Sequence, residues 1–374
     1  MEVHMYIFKG FSLSVIMLFS MVLSFCSPAV TPAPGGGGTK IIRAAGGFYH
    51  SLILTETGDV WVAGRNIEGQ LGKGDNADVS NWTLVLSGAS QIACGAYHSL
   101  AVKTDGSLWV VGYNLYGQLG IGNNVDTNYG VIVLSGVSQI AGGANHSMAL
   151  KIDGSLWTVG YNFYGQLGKG DSADTNIWIQ VLTGVSQIAG GDKHSFALLT
   201  NGILLASGRN FDGQLGKGDN ADTNYWAAVL SNVSQVACGL FHSLALKTDG
   251  TLWATGYNNS GQLGKGDFIS TNKWVQVLTG VSQIAAGDYF SFALKTDDSL
   301  WAAGYNGDGQ LGKGDIANTN IWVQVLTGVS QIDGGGKHSF ALKTDGSLWA
   351  TGRNYDGQLG KGDKASTNNW VKVW

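Results

Sequence analysis

The amino-acid sequence predicts an all-β chain folded as a seven-bladed β-propeller, and three observations carry that expectation. Gly-Gln-Leu-Gly recurs seven times, with its Gln at Gln70, Gln118, Gln166, Gln214, Gln262, Gln310 and Gln358, always 48 residues apart. Seven such units fill the 336 residues from Thr39 to Trp374, so no unit carries an insertion. Each unit holds four short apolar runs divided by turn signals, the pattern of propeller blades with periods of roughly 40 to 50 residues. No segment combines helical periodicity with helix caps.

The chain opens on different material. Phe11–Phe25 holds no charge. That length is short for a membrane span and right for the apolar core of an export signal. Cys26 follows, and Leu-Ser-Phe-Cys resembles the lipobox of bacterial lipoproteins, in which the Cys is lipidated after cleavage. Phe25 departs from that pattern, since a small residue normally precedes the Cys. Residues 1–26 are thus expected to be an export signal with a lipobox-like end. Residues 27–40 carry all three prolines and then four glycines, and read as a tether. The propeller is expected over residues 41–374.

The unit Trp322–Asn354 shows the strands in order. Trp-Val-Gln-Val-Leu is one strand, and Thr-Gly leads into Val-Ser-Gln-Ile-Asp. The chain turns at Gly-Gly-Gly-Lys into His-Ser-Phe-Ala-Leu-Lys-Thr. Asp345-Gly346 makes a hairpin turn, expected as type I′. Ser-Leu-Trp-Ala-Thr-Gly is the fourth strand. Apolar residues on both faces of His-Ser-Phe-Ala-Leu fit a sheet covered on both sides. Small residues before each His let backbones converge near the axis. The Thr-Gly link suggests that its two flanking strands pair as a hairpin. On that reading the last strand, Asn368–Trp374, completes the first blade and closes the ring, with a ring closed only by packing of faces as the alternative. Which strand is innermost stays open at this level.

The unit Gly-x-x-His-Ser-x-Ala-Leu-x-x-Asp-Gly-x-Leu-Trp-x-x-Gly-x-Asn-x-x-Gly-Gln-Leu-Gly-x-Gly-Asp resembles the repeat of the regulator of chromosome condensation family, also called the alpha-tubulin-suppressor-like repeat. The likeness covers all seven units and implies a seven-bladed β-propeller. It implies little about function, since members include a nucleotide exchange factor for a nuclear GTPase, a plant light receptor and a secreted β-lactamase inhibitor.

Repeated polar slots read as scaffold. His50, His98, His146, His194, His242 and His338 share one slot, which Phe290 fills in the sixth unit. Whole sheets separate equivalent positions, so these His are expected to be structural and to ligate no shared metal. The Gly-Lys-Gly-Asp loops, with Asp219 and Asp222 three apart, lack the alternating ligands of a calcium loop. They read as Asx turns that stiffen the loop. Trp61, Trp109, Trp157, Trp253, Trp301 and Trp349 share a strand slot. Trp82, Trp178, Trp226, Trp274, Trp322 and Trp370 share another, where Gly130 lacks the ring. Both sets read as inter-blade core. The plant receptor surrounds its Trp with Arg, whereas this chain has only Arg43, Arg65, Arg209 and Arg353. Cys94 and Cys238 lie three blades apart, too far for a disulfide, and read as small buried hydrophobes. No catalytic constellation is unique in the chain, so no enzyme activity and no cofactor are expected. A net charge of −4 gives no electrostatic footprint for nucleic acid.

Two slots vary between units. One is the pair before Gly-Gln-Leu-Gly, which includes Tyr116, Phe163, Tyr164, Phe211 and Tyr355. The other is the pair before the His slot, which includes Tyr97 and Phe241. Alternating strand directions place both slots on one rim and the nearly constant two-residue turns on the other. These seven aromatics are the candidate binding residues. The expected function is a non-enzymatic, monomeric binding propeller with a protein or glycan partner, exported and either anchored at its N-terminus to a bacterial envelope or secreted. Exchange-factor activity is the alternative that the resemblance implies. It is tied there to a wedge-like hairpin for which uninterrupted 48-residue units leave no room. A propeller-scaffold enzyme is a second alternative.

Overall fold

A computed structural model describes residues 39–374, so the export signal, Cys26 and most of the tether lie outside the described residues. Alternation within each unit produces seven four-stranded antiparallel sheets, and sheet order follows chain order in every one. Blade 1 comprises Ile41–Gly46, His50–Thr55, Val60–Gly64 and Val79–Leu86. Blade 7 comprises Val329–Gly334, His338–Lys343, Leu348–Gly352 and Thr367–Lys372. The seven strands of the Val-Ser-Gln-Ile type are innermost and line the axial channel. The His-Ser strands stand second and are buried on both faces. The Trp-bearing strands that precede Thr-Gly are outermost and half-exposed.

Two expectations about connectivity are overturned. Thr-Gly makes no hairpin. It carries the chain from the outer strand of one blade to the inner strand of the next, passing the Asp-Gly turn of the blade being left. At Ser87-Gly88 the crossing is pinned by Ala89 N donating to Gly58 O at 2.9 Å and Thr104 N donating to Gly88 O at 2.9 Å. The last strand therefore pairs inside blade 7, with Trp349 opposite Lys372 and Ala350 opposite Val371. Blade 1 is complete from its own four strands. A two-residue link serves a hairpin and a crossover equally well, and only the packing of neighbouring sheets chooses between them.

The ring closes by contacts between faces, with the bonds that join the other blades, of which only the pair of blades 6 and 7 lacks the His–Ser bond because Phe290 fills the His slot. His338 Nε2 meets Ser51 Oγ at 2.8 Å, and Gly362 N donates to Ser80 O at 2.9 Å. One bond belongs to the seam alone. Asp333 occupies a slot that is Ala45, Ala93, Ala141, Ala189, Ala237 and Ala285 elsewhere, and its Oδ2 accepts from Gly46 N at 2.8 Å. The C-terminal Trp374 adds an edge contact to Trp61 at 5.4 Å.

The Asp-Gly hairpin also differs from expectation. Only its Gly has positive φ, +83° at Gly346. Gly346 N donates to Lys343 O and Lys343 N to Ser347 O, both at 2.9 Å. This is a type I turn followed by a left-handed Gly in a bulge, not type I′.

The core lies between blades. The outer-strand Trp of one blade packs on the last Gly of Gly-Gln-Leu-Gly in the preceding blade, as Trp82 does on Gly360 and Trp178 on Gly120. Blade 2 has Gly130 where this Trp should be. There Trp109, from the other Trp slot, swings into the vacant seat. A β-carbon on Gly130 would sit on its indole, and Trp109 lies against Gly72 and Val111. Trp109 is consequently buried, as is Trp61 against Trp374, while Trp157, Trp253, Trp301 and Trp349 are half-buried and stack under Lys151, Lys247, Lys295 and Lys343.

Candidate functional site

The upper face is built on two buried amides per unit. In blade 1, Asn66 Oδ1 accepts from Leu71 N at 2.8 Å and Asn66 Nδ2 donates to Asp75 O at 2.7 Å. Asn66 N in turn donates to Asp78 Oδ1 at 2.8 Å. Ser270, Asn318 and Ser366 take the same acceptor role in blades 5, 6 and 7, which explains why that slot tolerates three residue types. The Gln of Gly-Gln-Leu-Gly grips the tip: Gln118 Oε1 accepts from Tyr116 N and Gln166 Oε1 from Tyr164 N, both at 3.1 Å. Asp75 Oδ1 accepts from Ala77 N at 2.9 Å and holds Lys73, as an Asx turn would. Constant polar residues thus fix each loop, and the variable pair is carried on a rigid tip.

Both variable slots fall on this one face. Rings run in a continuous file from Phe48 to Tyr97 (5.7 Å), Tyr113 (6.2 Å), Tyr116 (6.3 Å), Tyr161 (4.8 Å) and Tyr164 (6.4 Å), with Phe163 against Tyr164 at 5.0 Å. Phe211 and Phe241 join through a cation rather than through ring contact. The Arg209 guanidinium lies 5.6 Å from the first ring and 4.6 Å from the second. Phe241 continues to Tyr257 and Tyr289. Tyr355 stacks with Arg353, which also covers Tyr49. All seven candidate residues therefore share one face.

Sequence reading missed the joints of this ribbon. Arg65, Tyr113, Tyr161, Arg209, Tyr257, Tyr305 and Arg353 occupy the slot just before the anchoring Asn. Only two letters appear there, so the slot resembled scaffold. The signal was that both letters are large and flat, and that either can stack between neighbouring rings.

The charges of the face are mostly paired. Arg65 binds Glu68 at 2.6 Å, Arg209 binds Asp212 at 3.1 Å and Arg353 binds Asp356 at 3.6 Å. Lys337 lies 3.6 Å from Asp308, and Lys193 lies 3.8 Å from Asp192. The channel of about 390 Å³ opens at the centre of this face. Burial pushes Asp288 at its mouth up to about 7, against the pull of Lys337. Burial also pushes Asp333 up to about 7, opposed by the Gly46 N–H and Arg43. Cys94 and Cys238 are free and half-buried along the channel wall, where they pack against the inter-blade core.

The histidines lie one layer out and do not face the channel as a set. Each reaches the Ser of the next blade: His50 to Ser99 at 3.0 Å, His98 to Ser147 at 2.8 Å and His242 to Ser291 at 2.9 Å. Ser99 Oγ already donates to Gln70 O at 2.7 Å, so it accepts from the His50 Nε2–H. Burial holds these rings neutral, with pKa lowered to about 3, or about 4 at His146. They are rivets between blades.

Comparison with known proteins agrees with this geometry. The family model described as "Regulator of chromosome condensation (RCC1) repeat" matches residues 41–70, 89–118, 137–166, 185–214, 233–262, 281–310 and 329–358. A second model of the same repeat matches five stretches between residues 57 and 294. No curated protein matches the sequence. Among solved structures, human WBSCR16 superposes with a TM-score of 0.75 at 24% identity, over 84% of this chain and 93% of that one. Yeast RCC1 (Prp20), solved bound to Kap60, superposes with a TM-score of 0.77 at 21% identity, over 92% of this chain and 90% of that one. At such identities the likeness is one of fold. The seven matched repeats, one per blade, place the chain in the regulator of chromosome condensation repeat family.

Proposed function

We propose that this protein is a non-enzymatic binding propeller, and that it grips a protein or glycan through the aromatic ribbon of its upper face. The observation that supports this reading is the division of labour between rims. One rim carries two-residue turns that are Asp-Gly in four blades and Thr57-Gly58, Asn201-Gly202 and Asp297-Asp298 in the others, and the other rim carries stacked rings that differ from blade to blade on rigid tips. Exposed apolar patches on soluble proteins commonly mark interaction sites. The scaffold is known to carry partners, since yeast Prp20 is solved with Kap60 and its binding to Gsp1p and histones is described.

Truncating two neighbouring rings tests the face. Phe163 is 65% exposed, so Phe163→Ala with Tyr164→Ala should leave folding intact. Loss of such anchors typically costs about 2 kcal/mol, roughly thirtyfold in affinity. Capture of partners by the full-length protein should fall accordingly, while Asp249→Asn on the opposite rim changes little. If Asp249→Asn abolished capture and the double variant bound normally, the face would be the wrong one.

The same proposal places the protein at a bacterial envelope, exported and anchored through a lipidated Cys26. The uncharged run Phe11–Phe25 ending at Cys26 supports it. Radiolabelled fatty acid should enter the wild type and not Cys26→Ser. Equal labelling of the two would remove the anchor from the proposal.

A further inference from the structure

Resting on that binding-face reading, we propose that the cleft between blades 3 and 4 is the principal subsite of the face and takes a pyranose unit of an uncharged glycan. Tyr164, Arg209, Phe211, Asn220 and Asp222 line it, around a cavity of about 380 Å³. That volume is in the range of small-molecule sites.

Three properties of the cleft select this ligand. The first is an open aromatic wall. Arg209 covers one face of Phe211, and Phe211 is 72% exposed, so its other face is bare. The C–H face of a pyranose stacks on such a ring, burying apolar area without needing charge.

The second is a set of unspent polar atoms beside that wall. Asp222 commits Oδ1 to Asn210 N at 2.7 Å, and its Oδ2 has no partner among the described residues. Asn220 Nδ2 donates to Phe211 O at 2.8 Å, and Asn220 Oδ1 accepts from Asn272 Nδ2 at 2.7 Å. One amide hydrogen of Asn220 is left over. An acceptor and a donor beside a ring face match the hydroxyl edge of a sugar.

The third is charge. Arg65, Arg209, Arg353, Lys193 and Lys337 each lie beside their own acid, so no free cation of these slots awaits a polyanion. The shape of the surrounding surface agrees. The rings run as one connected strip from Phe48 through Tyr97, Tyr113, Tyr116 and Tyr161 to Tyr164, with Tyr49 and Phe163 alongside it, an elongated track suited to a linear polymer.

Affinity electrophoresis of the full-length protein tests the assignment. Separate gels contain a soluble β-glucan, a mannan, a galactan or, as the anionic control, heparin. Retardation is expected with at least one uncharged polysaccharide. Phe211→Ala should weaken it about thirtyfold, the scale of a lost aromatic anchor. Asp222→Asn should weaken it as well, and Asp249→Asn should not. Because Phe211 is exposed, its truncation should leave the melting curve unchanged, which circular dichroism checks. Retardation by heparin alone, by none of the uncharged polymers, or undiminished in Phe211→Ala overturns the glycan assignment. Capture of a protein through Phe163 and Tyr164 by a chain that ignores all three uncharged polymers overturns it too, while leaving the binding-face reading in place. Glycan retardation lost in Asp249→Asn and kept in Phe211→Ala overturns both.

Discussion

Acidification from about pH 7 to about pH 4 is expected to unfold the ring steeply, because protons bind the unfolded chain more readily than the folded one. Six buried histidines have their pKa lowered from 6.5 to about 3 or 4, chiefly by desolvation. A group whose folded pKa is depressed adds stability above its unfolded pKa and loses it as pH falls. For these rings the loss begins near 6.5 and continues down to the folded values. Asp288 and Asp333 act in the opposite sense. Burial raises them to about 7, so the folded state holds their protons and gains stability as pH falls from about 7 toward the ordinary carboxylate value. Six histidines against two acids leave a net uptake of about four protons, a slope of about 5 kcal/mol per pH unit. A typical stability of about 5–15 kcal/mol would be consumed within roughly one to three pH units. Tryptophan fluorescence against pH should show one cooperative transition. His242→Phe, the residue that blade 6 already carries as Phe290, should reduce the proton uptake by about one. A melting temperature that stays flat between about pH 6.5 and about pH 4.5 would contradict the burial-driven shifts.

Trp109→Ala is expected to be the most destabilising of the strand-slot Trp truncations, at about 3–5 kcal/mol. Its indole fills the seat left by Gly130 and packs in the cluster with Leu71 and Val111, so removal opens a hole with no side chain to collapse into it. Trp253→Ala should cost far less, because Trp253 is half-buried and loses only the stack with Lys247 at 4.2 Å and the bond to Thr251 Oγ1 at 2.9 Å. The seat also makes the two positions interdependent. Gly130→Trp alone should destabilise, since its side chain collides with Trp109. In the Trp109→Ala background the same change should recover stability by restoring the arrangement of the other blades. Denaturant melts of the two single variants and the double variant provide the test. Simple additivity would show that Trp109 does not occupy the vacant seat.

The ribbon was only half legible in the sequence. Tyr97, Tyr116, Phe163, Tyr164, Phe211, Phe241 and Tyr355 could be found because they break an otherwise constant unit, and strand direction put them on one rim. Tyr113, Tyr161, Arg209 and Arg353 could not, because a slot with two letters looks like framework until its neighbours across the blade boundary are known. The cleft at Phe211 likewise joins residues of two blades, and no local pattern marks it.

Periodicity by itself determined the number of blades, the strands within each and the apolar faces, since a 48-residue repeat that must bury both sides of a sheet has few solutions. Tertiary structure alone decided connectivity across the repeat boundary. Thr-Gly crosses between sheets, the last strand stays in blade 7, and Asp333 caps Gly46 at a seam that the repeat does not announce. It also decided that Trp109 takes the place of a missing ring. Local sequence fixes what a segment prefers along its own backbone. Which sheet a strand joins, and which side chain fills a gap, depend on residues of other blades, and those contacts exist only once the ring has closed.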